Sequence, residues 1–353
     1  MPKPLTSICI LRLSAIGDVC NAVSVVQAIQ CQHPQAQITW VIGKVEARLL
    51  EGLPGVRFVV FDKRQGKAAY RQLKQDLQHD HFDVLLHMQV AFRANLASLC
   101  IKAHKKIGFD WHTAKELHAL FMRHRIIPSP RSHVLDGFRQ FARAIGVSEH
   151  LLTQPPKWQL PIPESDEQWA KQQLAAVANS RVLIISPAAS KAERNWLPER
   201  YADLADYAHT KGFAVILCGG PTELERTLSQ AILATAKQPI TDLTGQTNLK
   251  QLLALLKHAS VVLAPDTGPT HMAVAVGTPV IGLYGHSNPD RTGPYLFRQY
   301  VVEVYHSSLI AQQGKTAAQL KWGTRVKGKD IMQKITVDAV IAMFDKVVAE
   351  QQL

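Results

Sequence analysis

The stretch VVLAPDTGPTHMAVAVGTPVIGLYG, residues 261–285, decides how the rest of the chain is read. A continuous apolar run ends in Asp266-Thr267-Gly268, the small-residue segment PTHMAVAVG follows, and a second apolar run closes on Tyr284-Gly285. Continuous rather than alternating apolar strands belong to a sheet covered on both faces, which implies parallel strands joined by helices. A carboxylate, a hydroxyl, a glycine and the imidazole of His271 fall where strand gives way to helix. In open α/β sheets, ligands bind outside that end of the strands.

The same alternation runs outward in both directions. SICILRLS (7–14), ITWVIGK (38–44), VRFVVFD (56–62) and DVLLHM (83–88) read as strands of a first half. RVLIISPAA (181–189), FAVILCGG (213–220), SVVLAPD (260–266) and PVIGLYG (279–285) read as strands of a second. Between them Val19, Ala22, Val23, Val26 and Ile29 share one helical face, and TNLKQLLALLKHA (247–259) has the same period. The fold class is therefore α/β with parallel sheets. Four prolines in TQPPKWQLPIPESDEQW (153–169) resist both helix and strand, so the expected domains are 1–160 and 161–335. A last helix, 336–353, is expected to start at Thr336 or Asp338. Residues 307–330 have no clear period and read as a long polar loop.

Composition narrows the classes. The chain has 353 residues, 46% hydrophobic and 19% charged, which fits globular domains and excludes a disordered chain. No apolar stretch approaches the roughly 20 residues of a membrane helix. The apolar N-terminal segment is interrupted by Arg12 and Asp18 and lacks a cleavage site, so it reads as a first core strand rather than a signal peptide. Five scattered cysteines without a CxxC pair read as reduced thiols of a cytoplasmic protein. Net charge is +12, and residues 1–160 hold 21 Lys/Arg against 11 Asp/Glu, whereas 161–353 hold 19 against 17. A field of that sign in one half attracts a polyanion: nucleic acid, a phosphorylated substrate or an anionic membrane surface.

Four constellations lie at presumed strand ends. In LRLSAIGDVCNAV, Gly17 permits a sharp turn and Asp18 stands where a helix begins, either as an N-cap or as a general base. In SPAASKAERNWLPERY, a helix starts near Pro198, and Ser190, Lys191 and Arg194 either touch phosphates or belong to a solvated loop. In LCGGPTELER, Glu223 either accepts two ribose hydroxyls or complements a helix dipole. In the stretch quoted first, the amides after Asp266 and the Thr267 hydroxyl suit a pyrophosphate, and Gly268 leaves room for it. A Walker loop and GxGxxG are both absent, which removes the main support for an ATPase or a dehydrogenase.

Taken together these stretches resemble glycosyltransferase family 9, the bacterial ADP-heptose:lipopolysaccharide heptosyltransferases. ILRLSAIGDV looks like the family's opening strand–loop–helix, and DTGPTHMAVAVGTPVIGLYGHSNPDRTGPY looks like its donor motif. KKIGFDWHTAKELHALF (105–121) is similar to the subfamily that adds the first heptose to Kdo-lipid A. The resemblance implies a GT-B fold, two Rossmann-like domains facing across a cleft, with the last helix packing back on the first domain. It implies an inverting transfer from ADP-L-glycero-D-manno-heptose to Kdo-lipid A, on phosphorylated or unphosphorylated Kdo, by a protein peripheral to the cytoplasmic face of the inner membrane. Carried over by position, Asp18 is the catalytic base. Ser190, Arg194, Glu223, Thr247, Asp266, Thr267, Gly268 and His271 bind the donor. Arg194 stands where the family usually has lysine, and Lys191 is a second source of positive charge for the diphosphate. Gly17, Lys63, Arg64, Arg123 and Arg125 are acceptor candidates, with Lys67, Lys105, Lys106 and Arg131 in the same basic half. No Asp-x-Asp or histidine cluster reads as a metal site, so turnover without cofactor or metal is expected. The alternatives are a later-acting heptosyltransferase and, from another class, a nucleic-acid-binding protein; the second lacks a recognised motif or basic–aromatic stripe.

Overall fold

The computed structural model describes residues 4–353 apart from 112, 115, 116, 130, 176, 178 and 179. The chain forms two compact units, Met1–Pro161 and Ile162–Leu353. The first is built on β1 (Ser7–Leu11), β2 (Gln37–Gly43), β3 (Val56–Phe61), β4 (Phe82–His87), β5 (Ala103–Gly108) and β6 (His124–Arg125), in the order β3-β2-β1-β4-β5-β6. Every pairing is parallel. Ile8 to Leu11 of β1 are fully buried, because a central strand has helices on both faces. Along the helix Ile16–Gln32, the face Val19, Ala22, Val23, Val26 and Ile29 has no exposure at all.

The second unit repeats this plan with β7 (Arg181–Ile185), β8 (Phe213–Leu217), β9 (Ile240–Asp242), β10 (Val261–Pro265), β11 (Val280–Tyr284) and β12 (Val301–Glu303). Their order is β12-β11-β10-β7-β8-β9, again parallel throughout. Counted in chain order, both sheets run 3-2-1-4-5-6, the doubly wound Rossmann order. Its switch point lies between β1 and β4 in one unit and between β7 and β10 in the other. The helix Leu249–His258 starts where Asn248 accepts the amides of Lys250 and Gln251, while Gln251 returns a bond to the Asn248 amide. Such a reciprocal cap is worth about 1 kcal/mol.

Three sequence readings change here. The expected polar loop 307–330 contains the end of a helix, Tyr305–Gln313, whose Tyr305 and Leu309 join Val326 and Ile331 in a small separate core. Four buried apolar side chains there are too far apart in sequence to show a period. The proline-rich stretch is irregular only to residue 163, and a helix, Glu164–Ala175, begins inside it. The last helix, expected over 336–353 as an element apart from the second domain, is Val337–Glu350 and belongs to the second unit. Phe344 packs against Phe213 with ring centroids 5.0 Å apart, Tyr207 donates to Asp345 at 2.6 Å, and Trp196 donates to the Ile335 carbonyl at 2.9 Å.

Candidate functional site

In each unit an arginine and an aspartate meet at the switch point. In the first, β1 ends at Leu11, the Ser14–Ala15 peptide is cis, and the helix opens at Ile16. Gly17 is buried in its first turn. Asp18 is the third helical residue and not the N-cap; that place falls to Ala15, which has no side-chain acceptor. The turn closes earlier than the sequence suggests because Asp18 reaches back to the Ala15 amide at 3.5 Å. Arg12 donates through one terminal nitrogen to Asp18 and through the other to the Met88 carbonyl at 2.5 Å, so it spans from the end of β1 to the end of β4. Its guanidinium stands 5.3 Å from the centre of the Phe138 ring. Asp18 nevertheless keeps 29% of its side chain exposed, against 11% for Arg12. A charged carboxylate that is oriented and still open to solvent can accept a proton from a ligand.

The neighbouring turn comes close. The Gly43 amide donates to the Leu13 carbonyl at 3.0 Å, and a Cβ at Gly43 would collide with that oxygen and with the Glu46 carboxylate. Burial pushes the Glu46 carboxyl above its ordinary value, with Lys63 and Arg12 opposing. Lys63 and Arg64 lie in a single helical turn just after β3 and are exposed. Arg123 and Arg125 lie beside and within β6, and Arg125 stands 3.8 Å from the centre of the Trp111 ring. The basic acceptor candidates therefore lie by β3 and β6, at opposite edges of the sheet, with Gly17 and Asp18 between them.

In the second unit the pair crosses the switch point. Arg194, after β7, donates to the Asp266 carboxylate, after β10, at 2.8 Å and also to the Asp266 carbonyl. Asp266 is 15% exposed. The helix Gly268–Ala275 follows, with Thr267 at the N-cap making no side-chain capping bond. Thr270 instead donates to the Pro265 carbonyl at 2.7 Å. First-turn amides of a helix have no partner within it, so this end can receive an anion, with the Thr267 hydroxyl beside it. His271 is buried in the next turn. Ser190 and Lys191 are exposed, and Lys191 lies 3.9 Å from Glu193. Glu223 opens the helix Glu223–Thr235 and is exposed; Thr222 caps that helix by accepting the Glu225 amide at 3.4 Å, and the Glu225 carboxylate accepts the Gly220 amide at 2.7 Å and the Thr222 hydroxyl at 2.5 Å. Thr247 follows β9 and is half-buried. Asp266, Arg194, Glu223 and Thr247 thus follow four neighbouring strands, β10, β7, β8 and β9, a row about 14 Å long at the usual strand spacing. That row suits an extended ligand with a diphosphate at one end and a ring at the other.

Sequence reasoning missed Arg12, which was read only as an interruption of an apolar strand, and a buried polar cluster behind it. There His87, Asn95 and His118 are fully buried; His87 Nε2 and His118 Nδ1 both meet the Asn95 side-chain oxygen, at 3.1 and 2.8 Å. His118 Nε2 accepts the Phe109 amide at 3.0 Å, so the ring is neutral. Burial holds both imidazoles below their usual range, His118 down to about 4. The five cysteines are free, and burial pushes Cys20 and Cys218 up to about 12, leaving inert thiols. Among the described residues no group of three His, Cys, Asp or Glu side chains is arranged to hold a metal ion, and no helix is long and apolar enough to cross a membrane.

A family model described as "Glycosyltransferase family 9 (heptosyltransferase)" matches residues 70–322. Over 340 residues, 96% of each chain, the sequence is 44% identical to the lipopolysaccharide core heptosyltransferase OpsX of Haemophilus influenzae. Among solved structures, a glycosyltransferase family 9 protein from Veillonella parvula aligns with a TM-score of 0.78 at 21% identity, over 98% of this chain and 97% of the other. The Escherichia coli heptosyltransferase WaaC with ADP aligns with a TM-score of 0.72 at 19% identity, over 98% and 99%. These likenesses show the fold, which is GT-B.

Proposed function

The chain belongs to glycosyltransferase family 9, and from that premise we propose that it moves L-glycero-D-manno-heptose from its ADP derivative to a Kdo hydroxyl of Kdo-lipid A. That it is a glycosyltransferase follows from the family; donor, acceptor and residue roles are the proposal. The observation that carries it is the near full-length identity to a lipopolysaccharide core heptosyltransferase in a chain that keeps an open, oriented Asp18 at a switch point.

In this mechanism a Kdo hydroxyl attacks the anomeric carbon of the heptose as the bond to ADP breaks. ADP leaves with the electron pair, Asp18 takes the hydroxyl proton, and the anomeric centre inverts. Arg12 is the positioning residue: its fork binds Asp18 on one side and the Met88 carbonyl on the other, fixing the carboxylate direction. Negative charge growing on the diphosphate is met by the amides that open the helix Gly268–Ala275, the Thr267 hydroxyl and Lys191. Arg194 is held by Asp266 and shapes that turn. Glu223 takes the ribose hydroxyls and Thr247 lies toward the adenine, while His271 lines the heptose end. The charge is neutralised by protein groups, and turnover proceeds without a divalent ion.

The basic first unit supports an anionic, lipid-borne acceptor, and the stretch 105–121 supports the first heptose step rather than a later one. The protein would act on the cytoplasmic face of the inner membrane. The test is ADP release from ADP-heptose with de-acylated Kdo-lipid A, with and without a Kdo phosphate, followed by mass analysis of the product. Acceptor-dependent release with one heptose added to Kdo supports the proposal. Transfer only to an already heptosylated acceptor would assign the later step.

A further inference from the structure

Residues 111–127 of the first unit carry four large, strongly exposed apolar side chains. Trp111 is 70% exposed, Leu117 61%, Leu120 77% and Ile127 70%. All four lie on the segments that follow β5 or β6, at the carboxyl end of the sheet where Asp18 also stands. The helices bearing Phe92 and Phe121 join the area, with those ring centroids 6.3 Å apart. Side chains of this size left in water rather than in the core mark a binding surface.

Charge identifies what the surface meets. Residues 88–133 hold eight Lys/Arg against two Asp/Glu. Arginines alternate with the apolar groups: Arg93 follows Phe92, Arg123 and Arg125 flank His124 just before Ile127, and the Arg125 guanidinium stacks on Trp111. Arg93, Arg123 and Arg131 are exposed. Tryptophan and aliphatic tips interleaved with arginine are the composition of a surface lying in the headgroup layer of an anionic bilayer. The centre of a protein interface is depleted of charged residues, unlike this surface.

We propose that this edge of the first unit docks the protein on an anionic lipid bilayer, with Trp111, Leu117, Leu120 and Ile127 entering the interfacial layer and the arginines meeting lipid phosphates. The inference rests on the reading that the acceptor is a lipid. β1, which leads into Asp18, is two strands from β5 and three from β6, about 10 to 14 Å in the sheet. A headgroup could therefore reach Asp18 while its acyl chains stay in the membrane.

The test compares wild type with a Leu117→Ser/Leu120→Ser/Ile127→Ser variant in co-sedimentation with vesicles of phosphatidylcholine plus phosphatidylglycerol, and with phosphatidylcholine alone. Ile310→Ser, an exposed apolar position in the second unit, serves as the control. Wild type and control should bind the anionic vesicles, and the triple variant should bind at least ~10-fold more weakly. Turnover of the de-acylated, soluble acceptor should be the same in all three, which also shows that the triple variant is folded. Equal vesicle binding by the triple variant, or none by wild type, would overturn the docking surface. So would a wild-type dimer in sedimentation equilibrium that the triple substitution dissolves. Absence of soluble turnover in wild type would strike the enzyme reading instead, so the two failures are told apart.

Discussion

The two units share one topology and place an Arg–Asp pair at the same point of it, yet the pairs are wired differently. Arg12 and Asp18 belong to a single strand–helix turn, and only the arginine reaches across to the far strand. Arg194 and Asp266 come from two different strand ends, and the aspartate is gripped through both its carboxylate and its carbonyl. The consequence is visible in exposure, 29% for Asp18 and 15% for Asp266. A carboxylate tied at one side keeps an oxygen for chemistry, whereas one tied across the crevice fixes the shape of the loop around it. On this account the first pair serves proton transfer and the second serves binding.

Substituting the open carboxylate gives the largest expected effect. Asp18→Asn should lower kcat by ~100-fold or more, measured as acceptor-dependent ADP release. Near-normal turnover would make Asp18 only a helix-terminal residue and erase the contrast. Next, Arg194→Gln should weaken donor binding ~10-fold or more with a smaller change in kcat, because the Asp266 turn loses its clamp. If kcat fell as far as in Asp18→Asn while donor affinity held, the roles of the pairs would be merged. Arg12→Gln should cost ~10-fold in kcat, and Arg12→Lys should recover part of it, since an ammonium keeps the charge without the fork. Equal loss in both would leave the fork, rather than the charge, as the requirement.

Smaller effects sharpen the contrast between basic and balanced halves. Lys63→Gln/Arg64→Gln should raise the acceptor KM a few-fold and flatten its salt dependence, leaving the donor KM alone. Acid should act on the first unit as well. His87 and His118 are neutral when folded, and His118 titrates at about 4 there against 6.5 as its ordinary value. Between those values the unfolded chain binds protons that the folded unit does not, so stability falls as pH drops from about 6.5 toward 4. Each such histidine contributes about 1.4 kcal/mol per pH unit. Denaturant unfolding across that window should show it; stability that is flat or rising on acidification would contradict the buried cluster.

Much of this was legible before any coordinates. Strands with long apolar runs, such as SICIL and VVLAP, announce themselves, and so do the helices with a 3.6-residue period. The missed strands explain themselves. β5 (Ala103–Gly108) begins AHKK because it lies toward an edge, and β6, β9 and β12 are two or three residues long, too short for any pattern. The carboxylates at strand ends were visible as residue types in their turns. Their partners were not: Arg194 and Asp266 are 72 residues apart, and the Met88 carbonyl that anchors Arg12 is 76 residues away. Only a sheet that brings β1 beside β4, and β7 beside β10, creates those contacts. That Glu225 rather than Glu223 turns back to the Gly220 amide likewise depends on a turn geometry that one sequence does not display.

Calorimetric titration of ADP into Asp18→Asn and Arg194→Gln, side by side with wild type, tests the division of labour most directly. The account predicts that Asp18→Asn binds ADP as tightly as wild type while Arg194→Gln binds it at least ~10-fold more weakly. Loss of ADP affinity in Asp18→Asn with Arg194→Gln unchanged would place the nucleotide on the wrong unit and contradict it.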